Sequence, residues 1–333
     1  MSGRCFVKMM CMLGMLVVIA CGGKETQPAK SEAPGGKPKP RTTKPHIALI
    51  MKAISNPFFK TMADGANSAA DKFGVRLTCL SVPKETDFEQ QAQYVENMVA
   101  QNVSAIVIAP ADSKAIVSPL LEAQKKGIPI INIDNRIDTA TAHSAGLKIV
   151  TFIGPDNAAG AEKSTDYLIK MIGGKGKVAM LEGIRGVANA EARKQGFLRA
   201  VAKTNGAGAV EAMETAEWAT DMGEKKMSGI LTRIPNLAGV FCANDNMAFG
   251  AMAAIESAGK AGKVRVTAYD NLRAAQDAIL EGKMDATIEQ HPDLMGAMGV
   301  ENALKAIRGE KIPAEIPVPT DLITAETLKK GTK

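Results

Sequence analysis

The sequence predicts an α/β protein made of two doubly wound domains, each a parallel sheet covered by helices. From residue 46 onward, short apolar runs alternate with segments of helical periodicity, the pattern of a parallel sheet with helices on its faces. The alternation comes as two successive series, one sheet for each. With 333 residues the chain exceeds one ordinary core, and a hydrophobic content of 46% is enough to fill two.

Ahead of the first series lie two segments of different character. Arg4 and Lys8 precede a short apolar run, Met9 to Ala20, which reads as an export signal over residues 1–20. At about 12 residues it is too short to span a bilayer, which takes roughly 20 in a helix. The run ends in VIAC, which resembles the lipobox of bacterial lipoproteins, and the resemblance implies cleavage before Cys21 and lipidation on it. Residues 21–45 then supply a tether: GGKETQPAKSEAPGGKPKPRTTKP is nearly devoid of apolar side chains and repeats Pro, Gly and Lys. As a coil it would span on the order of 25–30 Å.

The first series reads HIALIMK, VRLTCLS, SAIVIAP and IPIINID, with FEQQAQYVENMVAQ between them placing apolar residues on one helical face. FIGPDNAAG at 152–160 reads as a turn between the series, with Asp156 as the cap of the next helix. The second series reads KVAMLEG, GAVEAME, LAGVFCAND, KVRVTAYDN and MDATIEQHP. Cys79 and Cys242, the cysteines of the body, sit in separate apolar runs and read as buried free thiols. The formal charge of +6 belongs to the leader and tether, with a body near neutrality, which argues against a nucleic-acid face on the fold.

Ligands of open parallel sheets bind beyond the carboxyl ends of the strands. Those ends carry Lys52, Asp134, Asn244 with Asp245, Asp270 and Gln290, all polar and able to form two hydrogen bonds each. Any one of them alone serves as well for a cap or a turn residue. In a chain with only 4% aromatic residues, Phe58 and Phe59 stand side by side just past the first strand, and Trp218, the single tryptophan, follows the second strand of the second series. A pyranose has two faintly apolar C–H faces and a rim of hydroxyls, so aromatic plates with bidentate polar groups around them suit a sugar. The Phe pair also suits packing of the helix start into its own domain.

From about residue 46 to the end, the chain resembles the periplasmic ribose- and allose-binding proteins of bacterial ABC importers. SNPFF, IAPADS, KKGIPIINID, LEGIRG with EARKQGF, FCANDNMAFGA, AYDN and TIEQHPD carry the likeness, and Lys52 with TDFEQQ matches the allose-binding branch. The resemblance implies the type I periplasmic-binding fold with a three-segment hinge near Gly154–Asp156, Gln290–His291 and Val318–Thr320. One lobe would comprise residues 46–154 and 291–318, the other 155–290 and 319–333. It further implies that Lys52, Asn56 and Asp134 bond sugar hydroxyls from the first lobe while Phe58 and Phe59 cover one face. From the second lobe, Arg193, Asn244 and Asp270 would bond the remaining hydroxyls, Trp218 would cover the other face, and Gln290 would contribute at the crossing. Asn135 and Asn189 depart from the family pattern at the rim of the site, as does Val187, so the identity of the sugar stays open. By composition alone, EARKQ around Arg193 reads as solvated helix surface.

The function so implied is capture of an allose- or ribose-like monosaccharide by hinge closure. The partners would be an ABC permease and a chemoreceptor, the protein a monomer without cofactor or metal. An alternative is a lipid-anchored receptor for a cyclitol, polyol or furanosyl signalling molecule without transport. Catalysis is disfavoured: GxxxxGK[ST], a strand-borne GxGxxG and GxSxG are all missing, and His46, His143 and His291 are scattered. A sugar-responsive repressor would need a helix-turn-helix where this chain has a leader and tether.

Overall fold

A computed structural model describes residues 44–331. The expected signal at 1–20, the lipidation at Cys21 and all of the 21–45 tether save its last two residues lie outside that range.

The first half of the described chain runs β1 (His46–Met51), α1 (Pro57–Phe73), β2 (Arg76–Ser81), α2 (Phe88–Ala100), β3 (Ala105–Ile108), α3 (Val117–Lys125), β4 (Ile130–Ile133), α4 (Thr139–Ala145) and β5 (Thr151–Pro155). The second runs α5 (Asn157–Met171), β6 (Gly176–Glu182), α6 (Ala188–Ala202), β7 (Gly208–Thr215), α7 (Thr220–Arg233), β8 (Leu237–Cys242), α8 (Asp245–Ser257), β9 (Arg265–Thr267), α9 (Arg273–Leu280) and β10 (Ala286–Glu289). After it come α10 (Pro292–Ile307), β11 (Glu315–Val318), β12 (Asp321–Thr324) and α11 (Ala325–Gly331).

Two six-stranded sheets result, in the orders β11-β5-β4-β3-β1-β2 and β12-β10-β9-β8-β6-β7. In both, the strand order doubles back around the first strand of its series, the doubly wound arrangement that leaves a crevice at the strand ends. All pairings are parallel except β10 with β12. The inner strands β3 and β4 are buried along their whole length, as expected of strands covered on both faces. Edge strand β2 is half-exposed, and this corrects one expectation: Cys79 within it is exposed, whereas Cys242 in β8 is buried. Both are free thiols.

The stretch read as a turn at 152–160 proves to be β5 followed by the start of α5, with the Asp156 carboxylate accepting from Ala158 N and Ala159 N. Pro155 closes its strand, and Pro317 sits on edge strand β11, where a missing N–H costs no ladder bond on the outer side. The chain passes between the sheets three times: at Pro155–Asp156, at Gln290–His291 and over 318–321. His291 Nε2 lies 2.8 Å from Asp321 Oδ2, tying the second crossing to the third. After the second crossing, α10 returns to pack on α1 and on β3, β4 and β5. Gly296 makes that approach possible, since a Cβ there would stand 2.0 Å from the Met62 carbonyl oxygen. Among the described residues, no helix is long and apolar enough to cross a membrane.

Candidate ligand-binding site

In the first lobe the site begins where β1 ends. Asn56 caps α1 through its side-chain oxygen, which accepts from Phe58 N at 3.1 Å, and Pro57 occupies the first helical turn. The cap delivers Phe58 and Phe59 to the helix start, where their rings meet edge to face with centroids 5.1 Å apart. The Asn56 amide also donates to Glu85 Oε1 at 3.0 Å. Buried Gln91 clasps the ends of two strands, donating to the carbonyls of Met51 and Ala109 and accepting from Ala111 N. At the end of β4, Asn132 bonds the carbonyls of Ile108 and Asn135 and accepts from Ile137 N. These bonds stabilise a tight turn in which Asp134 takes a left-handed φ of 60°.

In the second lobe, Arg193 lies on the buried face of α6. Its guanidinium donates to Asn157 Oδ1 at 2.9 Å, to the Ala243 carbonyl at 2.7 Å and to Gln290 Oε1 at 3.3 Å, and it stacks 3.7 Å over the Tyr269 ring. Trp218 follows β7 at a φ of 66° and lies against Gly183, where a Cβ would come 2.1 Å from the indole. Asn244 caps α8 by accepting from Met247 N and donates to the Trp218 carbonyl. Asp270, at a φ of 118°, accepts from Gln290 Nε2 at 2.6 Å.

Side chains of both lobes border one small cavity of about 20 Å³, room for about one water. Lys52, Asn56, Phe58, Phe59, Glu85 and Asp134 line it from the first lobe, and Asn189, Arg193, Trp218, Asn244, Asp270 and Gln290 from the second. Lys52 Nζ stands 3.5 Å from Asp134 Oδ2 and 3.8 Å from Glu85 Oε2. The same ammonium is 5.7 Å from the Phe59 ring and 5.9 Å from Trp218, so rings of opposite lobes flank it. Burial pushes the Glu85 carboxyl up, with Lys52 and then the Asn56 bond opposing. Burial also pushes Asp270 well above the carboxylate range, with Arg193 opposing. Asp134 Oδ2, Asn189 Oδ1 and Trp218 Nε1 are buried polar atoms with no hydrogen-bond partner in the protein. Such atoms cost free energy unless something bonds them. The cavity thus offers apolar ring surface, donors and acceptors together.

The structure brings all but one of the twelve sequence-derived residues to this cavity. The exception is Asn135. It is fully buried just outside the cavity wall, where its amide donates to the Pro110 carbonyl and to Ser113 Oγ and its oxygen accepts from Asn189 N. Its position one residue after Asp134 in the tight turn directs it away. Glu85 was missed. It sits on the turn after β2, and as a polar residue just past a strand end it carries the same signal in the sequence as Lys52 and Asp134. Asp245, the remaining polar residue at a strand end, serves the fold: it accepts from Leu272 N and Thr287 Oγ1 at 2.7 Å each. Burial pushes its carboxyl up to about 7. Among the described residues, no group of three or more His, Cys, Asp or Glu is placed to hold a metal ion.

Residues 47–311 match the family model described as periplasmic binding protein domain. The chain belongs to that family. It is 36% identical over 289 residues to the D-ribose/D-allose-binding protein of Pseudomonas aeruginosa, covering 85% of this chain and 89% of that one. To the D-allose-binding periplasmic protein of Escherichia coli it is 35% identical over 266 residues, or 80% and 85% of the two chains. Among solved structures, an ABC transporter periplasmic solute-binding protein from Actinobacillus succinogenes with bound D-allose superposes with a TM-score of 0.82. That protein is 42% identical, and the match covers 86% of this chain and all of the other. The periplasmic binding proteins to which the chain belongs are ABC-transporter solute-binding proteins, which are not enzymes.

Proposed function

We propose that this periplasmic binding protein works outside the cytoplasm, captures a monosaccharide of the allose or ribose kind in the interlobe cavity, and delivers it to an ABC importer. One observation carries the reading: aromatic rings and unpaired polar atoms contributed by both lobes converge on one small buried cavity. A ligand that bonds groups of both lobes favours the shut form by its differential affinity for that form, which is how hinge closure couples to binding.

The charges lining the cavity argue for an uncharged ligand. Lys52 and Arg193 face the carboxyls of Glu85, Asp134 and Asp270, so there is no surplus of cations to hold a sugar acid or phosphate. The relatives with ribose and allose in their names, and the solved structure with bound D-allose, support an aldose. On this reading the twelve lining residues are the ligand contacts, residues 1–20 are an export signal, and Cys21 carries a lipid anchor. The permease is the membrane partner, with a chemoreceptor as a second one.

Isothermal titration with D-allose, D-ribose, other aldoses, myo-inositol and glycerol tests the proposal. Saturable binding of an aldose at one site per chain, with the sugar recovered unchanged, is the expected result. Binding of myo-inositol or glycerol in preference to every aldose would overturn it in favour of a polyol or cyclitol receptor.

A further inference from the structure

Helix α6 carries Asn189 and Arg193 into the cavity, yet its own amino terminus has no cap of its own. The residue before the helix is Val187, whose side chain can accept nothing. The first amides of a helix have no partner within it and are normally satisfied by a Ser, Thr, Asp or Asn at the cap position. Here the acceptors come from the other lobe. Ala188 N donates to Ser113 Oγ at 3.1 Å, and Asn189 N donates to Asn135 Oδ1 at 3.2 Å.

The two acceptors are held within the first lobe by bonds that do not involve the second. Asn135 Nδ2 donates to the Pro110 carbonyl at 2.9 Å and to Ser113 Oγ at 3.2 Å, and Asn132 holds the Asn135 carbonyl at 2.8 Å. The Ser113 carbonyl accepts from Asp138 N at 2.8 Å. Both side chains are almost wholly buried, at 2% exposure for Ser113 and none for Asn135. Neither lines the cavity, but Asn189 does, and one of its side-chain atoms is among the unpaired ones. Opening the lobes would break both interlobe bonds and leave every bond within the first lobe intact.

We propose that Ser113 and Asn135 are positioning residues that cap α6 from across the cleft, so that sugar retention depends on two bonds that never touch the sugar. The proposal rests on the monosaccharide reading above. When the lobes shut, the acceptors replace water on the Ala188 and Asn189 amides and set Asn189 and Arg193 against the cavity. When the lobes part, the helix end is hydrated and the cap is lost. The bonds exist only after closure, so their loss speeds release and leaves encounter unchanged.

The test removes the first bond from each side in turn. Ser113→Ala deletes the acceptor. Ala188→Pro deletes the donor at the first helical position, where proline is tolerated, and Val187, with φ −84° and ψ 132°, already has the extended backbone that a following proline requires. Trp218, the only tryptophan, lines the cavity, so its fluorescence follows release of D-allose, or D-ribose, in stopped flow.

Each single variant is expected to release sugar faster by on the order of fivefold, the worth of one ordinary hydrogen bond. Association should stay at the wild-type rate; without sugar the melting temperature should hold in Ala188→Pro and fall slightly in Ser113→Ala, which also loses the Asn135 bond within the first lobe. The double variant should release no faster than Ser113→Ala alone, because the interlobe bond is already absent there. Ser113→Thr, which keeps the hydroxyl, should restore slow release. Wild-type release from both single variants, or effects that add in full, would overturn the proposal. If the wild type responds to no sugar, the monosaccharide reading fails by itself. The cap is then judged with myo-inositol or glycerol, whichever the wild type binds: faster hydrogen exchange of residues 186–192 in loaded Ser113→Ala than in the loaded wild type supports it, and equal exchange overturns it.

Discussion

Replacing Asp134 probes the site most directly. Its Oδ2 is buried with no hydrogen-bond partner in the protein, in an ion pair at 3.5 Å with the Lys52 ammonium, on the wall contributed by the first lobe. A hydrogen bond to a charged acceptor contributes about 1.5–3 kcal/mol and one to a neutral acceptor about 0.5–1.5 kcal/mol. Asp134→Asn keeps the size and tolerates the left-handed φ, so it should weaken D-allose binding by about 1–1.5 kcal/mol, roughly fivefold to tenfold. Asp134→Ala loses the acceptor altogether and should cost about 1.5–3 kcal/mol, roughly tenfold to 150-fold. Alanine at a φ of 60° also carries a backbone penalty of about 1 kcal/mol that asparagine largely escapes. Lys52 retains Glu85 at 3.8 Å in both variants, so the fold should survive. Titration calorimetry reads the affinities, and thermal melts without sugar separate the backbone penalty from the binding loss. If both variants bound D-allose as tightly as the wild type, the assignment of Asp134 to the ligand would be wrong.

Two other perturbations test the second lobe. Gly183→Ala would place a Cβ 2.1 Å from the Trp218 indole, so the ring must move out of the cavity wall. A loss of D-allose affinity of about tenfold is expected, within the range of a displaced aromatic contact, together with a shifted emission maximum of the single tryptophan in sugar-free protein; unchanged emission would count against this packing. The buried Asp245 carboxyl, pushed up to about 7 from its ordinary value near 4, holds its proton more tightly folded than unfolded. Its contribution to stability should therefore fall as pH rises from about 4 to about 7 and level off above that, by at most about 1.4 kcal/mol per pH unit. Asp245→Asn should flatten that slope in denaturant titrations run across this range, and an identical slope in the variant would rule out Asp245 as its source.

The sequence alone determined the two parallel sheets and most of the cavity wall. Parallel strands covered on both faces must be short continuous apolar runs, and the polar residue after each run must emerge where such sheets bind ligands, so Lys52, Asp134, Asn244, Asp270 and Gln290 were readable in one dimension. The Phe58–Phe59 pair and Trp218 stood out because aromatics are scarce in this chain. Asn56, Asn189 and Arg193 became visible only through family resemblance, since the burial of Arg193 depends on partners at Asn157, Ala243 and Gln290, scattered along the chain. Tertiary structure decided the rest. It made a strand of Thr151–Pro155, which pairs with β4 on one side and on the other with β11, arriving from far along the chain. It put Glu85 on the cavity through the Asn56 bond, and it turned Asn135 away from the cavity toward the backbone of the opposite lobe. Local pattern fixes which way a strand ends. Which side chains then meet across a cleft depends on two lobes whose approach is written in no single segment.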